Sequence, residues 1–169
     1  MNHLLTIRDK DFGLNNPPPS VYVEREASRA IVFDGDNKVA LLHSTNYHYH
    51  KLPGGGLEEG EDMMAALRRE ISEEIGCQIK NIRELGIIEE YRNTFSLHQV
   101  SYCYIAELDG EKGTPHFEES EMADGFETVW LSLGDAINAL KKENRGNHYE
   151  GKFIHKRDLV FLEAARLTL

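Results

Sequence analysis

Three carboxylates crowd the end of a candidate helix in the stretch "RREISEEIG", residues 68–76: Glu70, Glu73 and Glu74. On an ideal helix each residue turns by about 100°, so Glu73 and Glu74 fall within roughly 60° on either side of Glu70. All three share one face. Met64, Leu67, Ile71 and Ile75 recur at helical spacing and form a stripe beside it, which sets the acids at the margin of a core. Like charges at these spacings cost a helix roughly 0.2–0.5 kcal/mol per pair. The negative end of the helix dipole opposes Glu73 and Glu74 by about another 0.3–1 kcal/mol each. A solvated acidic face leaves those terms uncompensated. A bound Mg2+ or Mn2+ reverses their sign, because carboxylate oxygens are the ligands hard cations prefer.

Two neighbours extend the arrangement. Arg69 precedes Glu73 by four residues, a spacing that lets its guanidinium reach the same face and orient the acids. Upstream, "LPGGG" places a non-donating Pro53 before Gly54, Gly55 and Gly56, whose lack of side chains lets backbone groups approach a ligand or metal closely. Glu58, Glu59 and Asp62 crowd the helix start, where the dipole favours negative charge.

Composition narrows the setting for this chemistry. At 169 residues the chain supports one domain with a full core, and 40% hydrophobic with 28% charged residues is a globular balance. A net charge of −10 argues against a protein that coats a nucleic acid polymer by neutralising phosphates. If phosphates are handled here, a divalent cation is the expected source of positive charge. No apolar run reaches the roughly 18 residues of a membrane span, and "MNHLLTIRDKDFG" does not read as a secretory signal. Cys77 and Cys103 lack metal-ligand spacing and suit a reducing, cytoplasmic compartment.

The prolines of "NNPPPS" lock an extended backbone and divide an arm or edge element, residues 1–19, from a single domain, residues 20–169. Residues 29–33 and 38–43 read as strands joined by the turn Asp34-Gly35-Asp36-Asn37. The acidic helix is expected over 61–75, stopped by Gly76. Strands are expected at 82–91, 97–108 and 128–131. A helix capped by Ser132 follows over 132–142, and a last one over 156–167. Mixed strands and helices without regular βα alternation favour an α/β sandwich of the α+β kind over a doubly wound sheet.

Gly55, five residues, Glu61, seven residues, then Arg69-Glu70-Ile71-Ser72-Glu73-Glu74-Ile75-Gly76-Cys77 resembles the Nudix box of MutT-like hydrolases, G-x5-E-x7-R-E-U-x-E-E-x-G-U with U a bulky apolar residue. Every fixed position matches, with Cys77 a marginal choice at the last apolar site. The box covers 23 of 169 residues. The resemblance implies an α/β/α sandwich with a mixed sheet and a metal-dependent pyrophosphatase that cleaves a nucleoside diphosphate linked to another moiety. It implies Glu70, Glu73 and Glu74 as ligands of Mg2+ or Mn2+, joined by a backbone carbonyl of Gly54 or Gly55, with Arg69 holding the cluster in shape and Glu61 structural or water-mediated. Family members take their general base from the box helix or from a later loop. Glu70 is the first choice here, and Glu121 is the choice from "FEESEMADGFE", read as a loop.

Substrate residues are sought in the flanks. Tyr47 and Tyr49, in "NYHYH" before the glycines, and Arg92, with Tyr91 and Phe95, are candidates to meet a base or sugar. No proline occurs between Pro53 and Pro115, so the post-box proline associated with ADP-ribose pyrophosphatases is absent, as are the added signatures of the coenzyme A and NADH branches. A nucleoside triphosphate, intact or oxidised as in 8-oxo-dGTP, is therefore the expected substrate, cleaved to monophosphate and pyrophosphate. The alternatives are a nucleotide-sugar, ADP-ribose or dinucleotide pyrophosphatase, then a Nudix-fold isomerase or a non-catalytic nucleotide sensor. The proline-bounded arm is a candidate homodimer contact.

Overall fold

The computed structural model describes residues 1–143 and 148–168. Its elements run β1 (His3–Arg8), β2 (Val23–Phe33), β3 (Lys38–Ser44), β4 (Tyr49–Lys51), β5 (Gly54–Gly56), α1 (Met63–Ile75), β6 (Gln78–Arg92), β7 (Leu97–Asp109), α2 (Glu119–Ala123), β8 (Phe126–Ser132), α3 (Leu133–Lys142) and α4 (Tyr149–Thr168). The strands form one mixed sheet in the order β1-β6-β7-β2-β3-β4, with β5 added to β2 and β8 to β3. The β1–β6 and β2–β7 pairings are parallel and the others antiparallel. This is the expected α+β sandwich with a mixed sheet.

Alternation of side chains along a strand divides the core into two layers. Ala30, Val32, Ala40, Leu42, Tyr104 and Ala106 pack under Leu67, Ile71 and Ile75 of α1. Their strand neighbours Ile31, Val39, Leu41, Cys103 and Ile105 point the other way, onto Ala136, Ile137 and Leu140 of α3 and Phe153, Phe161 and Leu162 of α4. Residues 29–33 and 38–43 do join through the Asp34–Asn37 turn, yet β2 and β3 pair only at Phe33 and Val39. Beyond that point they separate, β2 taking β5 through Ala27, Ser28 and Arg29, and β3 taking β4 and β8. The split inserts the glycine strand beside the middle of β2.

Local signals explain the ends of α1. Asp62 is the N-cap, accepting from the backbone N–H groups of Met64 and Ala65, so the helix begins two residues after the expected start. Gly76 closes it in the left-handed region at φ 65°. Two terminal carbonyls find partners elsewhere: Glu73 O accepts from His116 N at 2.6 Å, and Glu74 O accepts from Thr128 Oγ1 at 2.8 Å. These bonds tie the acid end of α1 to β8 and to the segment leading into α2, which was expected as a loop.

The last helix starts seven residues before the expected Lys156. His148 serves as its cap, accepting from Gly151 N through Nδ1, and neither His148 nor Gly151 is a usual helix-start signal. The arm also joins the sheet: β1 runs parallel to β6, Ile7 is fully buried, and Asp9 accepts from Asn16 Nδ2 and Tyr149 Oη. Among the described residues no helix is long and apolar enough to cross a membrane.

A Cβ on Gly76 would collide with the backbone of Gly113 and Thr114. Gly76→Ala is therefore expected to lower the unfolding free energy by about 1–2 kcal/mol from the left-handed backbone alone, and further if the Thr114 peptide must shift. Urea unfolding of the two proteins measures this, and an unchanged midpoint would show that the helix end is not so constrained.

Candidate active site

The glycine strand meets the acid helix by direct approach of backbone to carboxylate. Gly54 adopts φ 128°, and a Cβ there would collide with the Ser28 carbonyl. Its N–H donates to Glu74 Oε2, and its carbonyl accepts from Arg29 Nη1 at 2.7 Å. Gly54, expected to offer a group to substrate or metal, has both backbone groups committed to buried side chains. Gly55 is different. The carboxylate of Glu70 occupies the space a Cβ would take, so backbone and carboxylate converge there.

Arg69 gathers the acids, as its spacing suggested. It donates to both oxygens of Glu61 at 3.0 and 2.9 Å, to Glu70 Oε1 at 2.9 Å, to Glu73 Oε2 at 3.2 Å and to Gly56 O at 3.1 Å. A planar guanidinium can serve several acceptors with fixed geometry. The hydrogen bond from Arg69 holds the Glu61 carboxyl below its usual pKa, and Glu61 in turn leads the partners that raise the pKa of Arg69. Glu61 thus acts as the outer anchor of the hub.

Burial dominates the inner acids. Glu74 is 2% exposed, and desolvation pushes its pKa from 4.5 to about 8 against the opposing Lys51 ammonium and Gly54 N–H. Desolvation also raises Glu70, with Arg69 opposing. Lys51 Nζ stands 3.3 Å from both Glu74 Oε1 and Glu121 Oε1, so α2 is drawn to the acid face through this one ammonium. Burial lowers the pKa of Lys51, but Glu74 and Glu121 outweigh it and the net shift is upward.

These groups surround a cavity of about 490 Å3. Its lining brings together the acids Glu70, Glu73, Glu74 and Glu121 and the arginines Arg25, Arg29 and Arg157. Tyr47, Tyr49 and Arg92 are not among its lining residues. Tyr47 sits exposed in the turn between β3 and β4, and Tyr49 packs edge-on against Phe126 at 5.6 Å. Arg92 is 1% exposed, bonded to Glu90 Oε2 and Glu150 Oε1 at 2.8 and 2.7 Å. Lys51 and the arginine wall were missed in the sequence. Arg25 and Arg29 lie four apart in a strand and so share a face, which was the available signal for that pair. Arg157 was legible only as part of a helix, since its place depends on how α4 crosses the sheet.

The donor set suits a hard divalent ion: four carboxylates at one wall, with backbone close enough to Glu70 to exclude any side chain at Gly55. Among the described residues no three acidic, His or Cys side chains are already closed on one point. Cations of the protein stand against these acids instead, Arg69 at Glu70 and Glu73 and Lys51 at Glu74 and Glu121.

The NUDIX domain profile matches residues 23–154. Diphosphoinositol polyphosphate phosphohydrolase 3-alpha of Mus musculus is 28% identical over 124 residues, 73% of this chain and 72% of that one. RNA pyrophosphohydrolase of Rhodopseudomonas palustris is 33% identical over 64 residues, 38% of this chain and 35% of that one. In structure the chain is similar to a MutT Nudix hydrolase from Burkholderia pseudomallei, with TM-score 0.60 and 20% identity over 84% of this chain and 98% of that one. With the acids of the box, the arginine that gathers them and the surrounding sandwich all in place, this chain belongs to the Nudix hydrolase family.

Proposed function

We propose that the chain hydrolyses a phosphoanhydride bond in a small nucleotide substrate with Mg2+ or Mn2+ as cofactor. The substrate of this reading is a nucleoside triphosphate, intact or oxidised, released as monophosphate and pyrophosphate. One observation carries the chemistry: the acids of the box and the arginines Arg25, Arg29 and Arg157 line one cavity. Elimination supports the nucleoside, since the sequence lacks the marks of the ADP-ribose, coenzyme A and NADH branches. The cavity's own balance supports a short phosphate chain. Eight carboxylates and five cationic side chains line it, which suits an ion-assisted triphosphate better than a heavily phosphorylated ring such as the diphosphoinositol polyphosphate in a relative's name. The two buried free thiols support a reducing, cytoplasmic setting.

Glu70, Glu73, Glu74 and the Gly55 carbonyl would hold the ion, which polarises the phosphoryl oxygens and lowers the pKa of the attacking water. Arg69 keeps Glu70 and Glu73 aligned with Glu61 as its counterweight. Glu70 is the residue of this reading that takes the proton from water, through the oxygen that Arg69 does not engage. Lys51 fixes Glu121 at the cavity edge, where it orients the approach.

A panel of nucleoside triphosphates, nucleotide sugars, dinucleotides and a diphosphoinositol phosphate, assayed with Mg2+ or Mn2+, tests the reading. Triphosphates are expected to turn over best, and Glu73→Gln should raise the ion concentration for half-maximal rate by about tenfold or more. Failure of every panel member would overturn the hydrolase assignment. Glu70→Gln is expected to lower kcat by about 10²–10⁴-fold, while Glu121→Gln stays within roughly tenfold of wild type. The reverse ranking would move the base to α2.

The Glu74 shift also has a sign. Its folded pKa is raised, so the metal-free folded state binds more protons than the unfolded chain between about pH 4.5 and about 8. Glu74 therefore makes metal-free stability fall as pH rises through that window. Thermal melts in chelator from pH 5 to 9 (roughly that window plus a margin) should show wild type losing stability relative to Glu74→Gln. Added Mg2+ should restore wild type most at the alkaline end. Parallel curves for the two proteins would contradict the burial of this charge.

A further inference from the structure

The arginine wall has a charge balance of its own. Between the sheet and α4 lie four guanidinium groups, those of Arg25, Arg29, Arg92 and Arg157. The carboxylates of Glu90, Glu150 and Asp158 make their direct ion pairs with two of them. Arg92 Nη2 and Nη1 take Glu90 and Glu150, and Arg157 Nε takes Asp158 Oδ1 at 2.7 Å, with its Nη1 3.6 Å from Glu90 Oε2.

Arg25 and Arg29 have neutral partners only. Arg25 Nη1 donates to Gln99 Oε1 at 3.2 Å, and Arg29 Nη1 donates to the Gly54 carbonyl. Among the described residues neither guanidinium has a carboxylate within ion-pair distance. Arg29 is 6% exposed, lines the cavity, and has no hydrogen-bond partner at Nε. Burying a charge that makes no direct ion pair is costly. Burial, then the nearby charge of Arg157, lowers Arg29 to a pKa of about 10, against the more distant Asp158, Glu90 and Glu74. Partial desolvation, then Arg92 and Arg157, lowers Arg25 against Glu150 and Glu70. Arg25 remains accessible at the mouth, its guanidinium lying where a Cβ of Gly56 would project.

We propose that Arg25 and Arg29, with Arg157 beside them, form a phosphate subsite in the cavity that the box acids also line, binding one phosphoryl group of the substrate. This rests on the reading of the cavity as a phosphoanhydride hydrolase site, and it names the residues that hold the substrate there. An anion placed there gives Arg25 and Arg29 the direct ion pair that neither makes within the protein, and guanidinium forks match phosphate oxygens in charge and geometry. Gln99 and the Gly54 carbonyl hold one nitrogen of each guanidinium, and Arg29 Nε has no hydrogen-bond partner. Arg25 and Arg29 are positioning and specificity residues, since their role is to hold a phosphoryl group while the box acts on the bond.

Calorimetric titration of inorganic tripolyphosphate into the full chain, in chelator, reads this subsite apart from hydrolysis. Wild type should bind, Arg25→Gln should bind about tenfold more weakly or worse, and Arg25→Lys should recover part of the loss. Glu73→Gln should bind at least as tightly as wild type. In metal-loaded assays on whichever panel member turns over, Arg25→Gln should raise KM about tenfold with a smaller effect on kcat. Equal tripolyphosphate affinity in wild type and Arg25→Gln, or no binding to wild type, overturns the subsite. The two readings fail separately. Loss of the hydrolase reading appears as tripolyphosphate binding that needs Arg25 without turnover of any panel member. Loss of the subsite alone appears as turnover with KM unchanged in Arg25→Gln.

Discussion

Gly54 is gripped from both sides, by the Glu74 carboxylate at its N–H and by the Arg29 guanidinium at its carbonyl, and the rest of the site depends on that grip. Each partner comes from a different element, Glu74 from α1 and Arg29 from β2. The bonds therefore lock the glycine strand between the acid helix and the sheet. With Gly54 fixed, Gly55 is brought against Glu70 and Gly56 against Arg25 and Arg69. Three adjacent glycines thereby stand between the carboxylates of Glu70 and Glu74 and the guanidinium groups of Arg25 and Arg29. No residue with a side chain could take the middle position without evicting the Glu70 carboxylate.

The electrostatics follow from this geometry. Repulsion among acids on one helix face is met locally by Arg69 and Lys51, which span the cluster without neutralising it. At Arg25 and Arg29 the imbalance has the opposite sign, because the direct ion pairs of Glu90, Glu150 and Asp158 go to Arg92 and Arg157. In a medium of low dielectric such paired imbalances are strongly felt. In the function proposed above, a cation at the acids and an anionic substrate at the arginines would relieve both together, and so let a chain of net charge −10 accommodate a phosphoanhydride.

Some of the architecture was legible because it is locally encoded. Leu67, Ile71 and Ile75 bury one helical stripe, Gly76 ends it, and Ser132 caps α3, all through interactions within a few residues. The start of α4 was not legible, since His148 in place of Ser, Thr, Asp or Asn carries the cap and Gly151 interrupts helix propensity. The separation of β2 from β3 was hidden for another reason. The turn predicts a hairpin, but the glycine strand β5 takes the same edge of β2 at Ala27–Arg29, while β3 pairs with β4 and β8. Pairing across long sequence distance leaves no mark on the local pattern.

The order of residues alone determined the acid face, its arginine and its glycines, because all three lie within 23 residues and their spacing is read by a single helix and one loop. Tertiary structure decided what faces them. Arg157 is far along the chain from Arg25 and Arg29, and joins them in lining one cavity only through the packing of α4 on the sheet. Tyr47, Tyr49 and Arg92 lie close to the box or to strand ends in sequence, yet point to other surroundings. Helical spacing is a short-range constraint, whereas the far wall of a cavity is set by which layers bury their apolar faces together.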